Sequence, residues 1–291
     1  MSETQPVAVI GAGPVGLAAA AHLATRQIPF VVIEAGDSVA ASLRDWAHVR
    51  LFSPWRWTID PAARELLQAT GWTEPDPDAL PTGGDLARHY LEPLAAHAAI
   101  APHLRLGRAV TAITRLGVDK VRTAGRENTP FVLRLSTGDE ITARAVIDAS
   151  GTWRTPNPLG GNGSPARGEE GARAAGRVLD GMPDVTGRLR DAFAGRTVAV
   201  VGAGHSAMGT LLALTELAPS GTAVHWILRA ASPDGAYGGG EADALPARGS
   251  IGTRLRDRVM EGALTVHTGF SCRRSPRARL SRPTAARCPR T

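Results

Sequence analysis

The chain has 291 residues, of which 43% are hydrophobic and 21% are charged, and its length predicts two globular domains. No apolar stretch approaches the ~20 residues of a membrane-spanning helix, and the polar segment before Val7 lacks the pattern of a signal peptide. These features exclude a transmembrane role and predict a cytoplasmic protein.

The positive charge is concentrated in one segment. The formal net charge is +6, but residues 271–291 contain seven arginines and no acidic residue, and the remainder is close to neutral. Both cysteines, Cys272 and Cys288, lie in this segment, which excludes a disulfide and a thiolate metal site elsewhere. With a single leucine as its only large aliphatic residue, the segment is predicted to be a disordered tail. We favour a frameshift or truncation over a basic arm that contacts nucleic acid.

A strand, a glycine-rich turn, a helix and a second strand are predicted near the start of the chain. Buried runs at 7–10 and 30–33 predict the two strands, residues 11–16 form the turn, and 17–25 is an alanine-rich helix. The second strand ends at Glu34. This order is typical of a βαβ unit that binds a dinucleotide.

Each glycine of this turn has a separate role in such a unit. Gly11 permits the tight turn, Gly13 lets the backbone approach a pyrophosphate, and Gly16 allows the helix to pack closely on the strand. The amides of the helix N-terminus face the diphosphate, and Glu34 accepts hydrogen bonds from ribose hydroxyls. The predicted cofactor-binding residues of this copy are Gly11, Gly13, Pro14, Gly16, Glu34 and Ala35. The alternative is that the glycines form only a tight turn.

The middle of the chain predicts one helix and several strands. Residues 84–99 have helical spacing, whereas 108–116 and 131–135 alternate like strands, and a hairpin turn follows at 137–139. A further buried strand at 145–149 closes at Gly151. Residues 152–196 are rich in Gly, Pro and Arg and predict a connection, with a short helix around 184–193.

The strand–turn–helix–strand order then occurs a second time. Residues 198–201 predict a strand, 202–207 a turn with Ala207 at the third glycine position, and 223–228 a strand that ends at Arg229. Arg229 takes the place of the acidic residue, and a guanidinium favours the 2′-phosphate of NADP(H), although a merely solvated arginine is the alternative. The predicted binding residues are Gly202, Gly204, His205, Ser206, Ala207 and Arg229.

Two such copies, with Asp148-Ala149-Ser150-Gly151-Thr152-Trp153 and Pro156 between them, resemble flavoproteins with two dinucleotide-binding domains. The flavin-containing monooxygenase branch of the NAD(P)H-dependent FAD oxidoreductases is the most similar. The resemblance implies an α/β fold of two Rossmann-like domains with a small antiparallel β insertion. An FAD-binding domain is expected at 1–160, a connection at 161–196 and an NAD(P)-binding domain at 197–270.

The resemblance also implies further contacts of the cofactors. It places Trp46 and Leu51 beside the flavin ring, Val110 as a backbone contact of the adenine, and Gly151 where the chain crosses between the domains. Packing remains the favoured role for any single tryptophan. Phe193-Ala194-Gly195 is not followed by the histidine of the family fingerprint, and the family pattern is not followed beyond Phe270, which predicts an incomplete FAD domain.

The resemblance implies the cofactors FAD and NADP(H) and a monooxygenase that transfers one oxygen atom from O2 to a small organic substrate. Disulfide reduction is excluded from the folded part because both cysteines lie in the tail, and no metal site, membrane contact or catalytic residue is assigned. One alternative is a flavin reductase that passes electrons to a quinone or protein. The other is a non-catalytic nucleotide-binding remnant.

Overall fold

The chain divides into two compact units, Met1–Arg154 and Thr155–Thr291. Within them, the computed structural model describes residues 5–270. The predicted disordered tail and both cysteines lie outside the described residues. Each unit contains a parallel sheet and several helices, so the fold is mixed α/β.

The first unit is built on a four-stranded parallel sheet with the order β3-β2-β1-β7. Its strands are β1 (Val7–Ile10), β2 (Phe30–Ile33), β3 (Leu104–Arg105) and β7 (Ala145–Asp148). The registers pair Ile10 with both Ile33 and Asp148, so the carboxyl ends of β2, β1 and β7 meet at one edge of the sheet. The bounds predicted for β1 and β2 are confirmed. β7 is only half-buried, because it forms one edge of the sheet.

A three-stranded antiparallel sheet covers one face of this parallel sheet. Its strands are β4 (Val110–Arg115), β5 (Phe131–Leu135) and β6 (Glu140–Ala143). The predicted hairpin turn is confirmed, with Gly138 at φ 90° and its amide donating to the carbonyl of Leu135 at 3.0 Å. The residues of the two sheets that form this core are Ala8, Val31, Ile33, Leu133, Leu135 and Ala143.

Helices form a hydrophobic core with the opposite face. They are α1 (Pro14–Thr25), α2 (Ala41–Asp45), α3 (Trp55–Thr58), α4 (Pro61–Gln68), α5 (Gly83–Leu86) and α6 (Glu92–Ala96), with a π-helical turn at Ala87–Leu91. The helix predicted at 84–99 corresponds to α5, the π turn and α6. Because successive strand residues point to opposite faces, Val9 and Val32 reach this core while Ala8 and Val31 reach the other.

The second unit contains a three-stranded parallel sheet with the order β10-β9-β8. Its elements are α7 (Glu169–Ala174), α8 (Arg190–Phe193), β8 (Thr197–Val201), α9 (His205–Thr215), β9 (Ala223–Ile227), α10 (Pro246–Met260) and β10 (Thr265–His267). α8 lies inside the predicted helical stretch, whereas α7, α10 and β10 were not predicted. The core of this unit surrounds Trp226, which is fully buried, and includes residues of α9 and α10.

None of the helices formed by residues 5–270 is both long enough and apolar enough to cross a lipid bilayer.

Replacing Trp226 with phenylalanine is expected to lower the free energy of unfolding by about 2 kcal/mol. The change removes the indole N–H that donates to the Gly202 carbonyl at 2.7 Å and leaves a void in the core. Trp57→Phe is the matched control, because Trp57 is 75% exposed and its change should stay within about 0.5 kcal/mol. Denaturant unfolding measures the free energy of unfolding of both variants. Equal losses of stability in the two would contradict the assignment of Trp226 to the core.

Candidate functional site

The first glycine turn lies where the carboxyl ends of β1, β2 and β7 meet. The Gly11 amide donates to the Ile33 carbonyl at 2.7 Å, and the Ala149 amide donates to the Ile10 carbonyl at 2.9 Å. Gly11 has a φ of +97°, and a Cβ there would lie 2.6 Å from the carbonyl oxygen of Ala149. Both the backbone conformation and the close approach to Ala149 therefore require glycine.

A side chain would clash with neighbouring atoms at Gly16 but not at Gly13. A Cβ on Gly16 would overlap the carbonyl oxygen of Gly11, so the missing side chain allows α1 to lie against the turn. A Cβ on Gly13 would meet no atom of the described residues within 4 Å. The backbone at Gly13 is therefore open to an external group, as a pyrophosphate site requires.

The N-terminus of α1 points its first amides at this open space. Gly13 is the N-cap residue and Pro14 follows it, no side chain caps the helix, and its first turn contains no acidic residue. By contrast, the Asp60 side chain caps α4 by accepting from the amides of Ala62 and Ala63. The unpaired amides and positive dipole end of α1 are suited to an anion.

Glu34 follows β2 and reaches back to the turn. Its Oε2 accepts from the amide of Ala12 at 2.7 Å, and its Oε1 accepts from the amide of Gly36 at 2.8 Å. A carboxylate has about four acceptor positions, so each oxygen can still accept a hydroxyl. The carboxylate of the half-buried Glu34 is thus fixed beside the turn, and the next residue, Ala35, is exposed.

Trp46 directly follows the last residue of α2, and two other residues lie close to its ring. A Cβ on Gly83 would lie 2.6 Å from its ring, and the Trp153 ring is 6.4 Å away between centroids. The Trp153 indole also donates to Asp45 Oδ2 at 2.8 Å. These contacts support the packing interpretation of Trp46 and join α2 to the segment after Gly151, a residue with φ +69°.

Leu51 and Val110 have contacts away from the glycine turn. The Leu51 amide donates to the Pro81 carbonyl at 2.8 Å, and Val110 begins β4 opposite Leu135. A role beside the flavin ring or the adenine therefore remains a prediction for these two residues.

The second glycine turn repeats the geometry of the first. The Gly202 amide donates to the Ile227 carbonyl at 3.1 Å, as that of Gly11 does to Ile33. Gly204 is the N-cap residue of α9, and its φ of −82° and ψ of 167° are close to the −83° and −171° of Gly13, the N-cap residue of α1. His205 and Ser206 are the first residues of α9, which has no side-chain cap and no acidic residue in its first turn.

The second turn has an alanine, Ala207, where the first has Gly16. A Cβ added to Gly202 would lie 3.9 Å from the Cβ of Ala207, an ordinary van der Waals distance. The second helix therefore tolerates alanine at the position where the first helix has Gly16.

Arg229 lies one residue further along the chain than Glu34 does in the first copy. Ile10 pairs with Ile33, and Val201 pairs with Ile227, so Leu228 is the counterpart of Glu34. The sequence-based equivalence of Arg229 with Glu34 was therefore wrong by one position. The cause is that Leu228 is only 2% exposed and extends the apolar run beyond the paired strand.

The guanidinium of Arg229 is held by a neutral group. Its Nη1 donates to the carbonyl of Gly161 at 3.3 Å, and the residue is exposed. Within residues 5–270, Arg229 forms no ion pair with a carboxylate. Its positive charge therefore remains available to an anion.

One carboxylate lies in electrostatic range of the second turn. Hydrogen bonds from Arg248 and from the Leu245 amide hold the pKa of Asp243 below its usual value, and His205 lowers it further. The Arg248 guanidinium donates to Asp243 at 2.8 to 3.1 Å. This ion pair offsets a negative charge that would otherwise oppose a diphosphate at α9.

The described part of the chain shows no group of three or more His, Asp or Glu side chains arranged as metal ligands. No catalytic side chain follows from the geometry of the two turns.

Comparison with known proteins places the chain in a family. Residues 8–237 match the family described as pyridine nucleotide-disulphide oxidoreductase, and the chain belongs to this family. It is 30% identical over 230 residues to a ferredoxin–NADP reductase of Granulibacter bethesdensis, covering 77% of this chain and 53% of that protein. It is 32% identical over 208 residues to the indole-3-pyruvate monooxygenase YUCCA1 of Oryza sativa subsp. japonica, covering 71% and 44%.

Among solved structures, a bacillithiol disulfide reductase from Bacillus cereus is similar, with a TM-score of 0.60 and 18% identity. The match covers 92% of this chain and 68% of that structure, and it shows the shared fold. The chain spans about half the length of the curated relatives it matches.

Gly16→Ala is expected to destabilise the protein by about 1–3 kcal/mol, because the new methyl group overlaps the Gly11 carbonyl and forces α1 away from the turn. Gly209→Ala is the control, since Gly209 lies within α9 with no atom within 4 Å of an added Cβ. That change should stabilise the protein by up to about 1 kcal/mol through helix propensity. Thermal unfolding measures the stability of both variants. A change of the same sign in the two would contradict the close approach of α1 to the turn at Gly16.

Proposed function

We propose that the first unit binds FAD and the second binds NADP(H), each in a Rossmann-like domain. The chain is then an NADPH-dependent flavoprotein oxidoreductase of the flavin-containing monooxygenase type, acting with O2 on a small organic substrate. The observation that carries this proposal is that two equivalent glycine turns are followed by groups of opposite charge. Glu34 directly follows β2, whereas Arg229 lies two residues after the end of β9.

The residues of the first turn fit FAD. A diphosphate would occupy the open space at Gly13 and accept hydrogen bonds from the first amides of α1. Glu34 would accept hydrogen bonds from the adenosine ribose, because its carboxylate is already held in place by the amides of Ala12 and Gly36. A phosphate on the 2′-oxygen of this ribose would be repelled by the same carboxylate, which disfavours NADP(H) at this site.

The residues of the second turn fit NADP(H). The open backbone at Gly204 and the uncapped start of α9 provide the same site for a diphosphate. Leu228 offers no acceptor to a ribose, and Arg229 offers an uncompensated positive charge beside it. A guanidinium pairs with a 2′-phosphate through charge-assisted hydrogen bonds, which favours NADP(H) over NAD(H).

When bound at the turns of Gly13 and Gly204, the two cofactors would supply the redox chemistry, namely hydride transfer from NADPH to flavin and electron transfer to oxygen or another acceptor. The residues of this chain bind and orient the two nucleotides. The likeness to an indole-3-pyruvate monooxygenase supports the oxygenase. The likeness to a ferredoxin–NADP reductase favours a second candidate, in which the electrons pass to a protein or quinone acceptor.

The test of this function is the absorbance spectrum of the purified chain supplied with FAD, followed by addition of NADPH or NADH under air. The expected result is a flavin spectrum that NADPH bleaches at lower concentration than NADH does. Peroxide release in the absence of substrate supports the oxygenase over the reductase. A chain that shows no flavin spectrum after unbound FAD has been removed contradicts the proposal and supports the non-catalytic remnant.

Glu34→Gln is expected to weaken FAD binding about tenfold, because its amide NH2 would face the backbone N–H of Ala12 or Gly36. Titration of FAD, followed by its fluorescence, measures the dissociation constant. The matched control is Glu65→Gln at an exposed position of α4, which should bind FAD as the wild type does. Unchanged FAD affinity in Glu34→Gln would remove Glu34 from the site.

A further inference from the structure

A loop in the second unit folds around one buried carboxylate. Glu169 begins α7 and is only 4% exposed. Its oxygens accept from the Leu159 amide at 3.0 and 3.1 Å and from the Ala166 amide at 2.6 Å. The carboxylate thus ties together the two ends of the segment 159–166.

An arginine completes the environment of this carboxylate. Arg173, one helical turn further along α7, donates to Glu169 Oε1 from Nε at 3.2 Å and from Nη2 at 2.6 Å, and also pairs with Asp180. Burial alone raises the pKa of Glu169, but hydrogen bonds from Arg173, Leu159 and Ala166 bring the pKa below its ordinary value. Glu169 is therefore a carboxylate at neutral pH, when it accepts all of these hydrogen bonds.

The loop itself is closely packed. The Gly163 amide donates to the Gly160 carbonyl at 3.2 Å, and the Ser164 amide donates to Asn162 Oδ1 at 3.2 Å. A Cβ on Gly160 would overlap the carbonyl oxygen of Ser164. Contacts within the loop and the hydrogen bonds to Glu169 therefore both fix the conformation of residues 159–166, including the carbonyl of Gly161.

The carbonyl of Gly161 is the group that Arg229 contacts, at 3.3 Å. We propose that Glu169 is a positioning residue for nucleotide specificity. By holding the 159–166 loop, it presents the Gly161 carbonyl to Arg229 and aims the guanidinium at the 2′-phosphate of NADP(H). This inference rests on the proposed function of the second unit. It identifies the 159–166 loop as the part of the chain that sets the preference for NADP(H) over NAD(H).

The partner that positions Arg229 has to be a neutral group, such as this carbonyl, because the guanidinium must keep its positive charge for the phosphate. A guanidinium has five N–H donors, so one hydrogen bond to Gly161 leaves four for a phosphate. A carboxylate partner would also hold Arg229 but would cancel its charge. Arginine side chains lose rotamer entropy when they are immobilised, and fixing the side chain before binding reduces the part of this cost that the nucleotide must overcome.

The test compares NADP+ and NAD+ binding to the full chain by titration calorimetry in four proteins: wild type, Arg229→Gln, Glu169→Gln and Glu170→Gln. Glu169→Gln should weaken NADP+ binding about tenfold, while NAD+ affinity stays within about twofold. The exposed neighbour Glu170 carries the control substitution, which should leave both affinities unchanged. Arg229→Gln should remove the preference for NADP+ altogether.

A second variant, Gly160→Ala, perturbs the loop without touching the buried carboxylate and covers the case in which Glu169→Gln does not fold. It should also weaken the binding of NADP+ more than that of NAD+.

Equal losses of affinity for the two nucleotides in both loop variants, or an unchanged preference for NADP+, overturn the positioning role of Glu169. A wild type without preference for NADP+ contradicts the NADP(H) assignment itself. A preference that depends on Arg229 and survives both loop variants contradicts only the role of Glu169.

Discussion

The hydrogen bond from the first glycine of each turn to the last paired residue of the second strand determines the rest of the structure. Gly11 bonds to Ile33 and Gly202 to Ile227, so in both units the chain turns sharply at the carboxyl edge of a parallel sheet. The following helix then begins three residues later, with its first amides directed outward at that edge. This constraint places an anion site and the residue after the second strand side by side.

The two copies share this geometry but differ in the residues around it. In the first, α1 lies so close to the turn that Gly16 has no room for a methyl group, and a carboxylate follows the strand. In the second, the turn is wide enough for Ala207, a buried leucine follows the strand, and the charged group is an arginine one residue later. These local differences support FAD in the first unit and NADP(H) in the second.

Much of this arrangement could be predicted from the sequence, because short apolar runs beside glycine-rich turns are local signals. β1, β2, the hairpin at Gly138 and both glycine turns were found in this way. The position of Arg229 was wrong by one residue, because the apolar run does not show where strand pairing ends. The role of Glu169 was missed, because its partners are backbone amides and an arginine in a Gly- and Arg-rich segment without periodicity.

Titrating NADP+ into the protein before and after saturation with FAD shows whether one chain has two separate nucleotide sites. One equivalent of each nucleotide is expected to bind, with the stoichiometry of NADP+ binding unchanged by bound FAD. Displacement of NADP+ by FAD, or loss of one of the two binding events, would mean that the two turns do not act as separate sites.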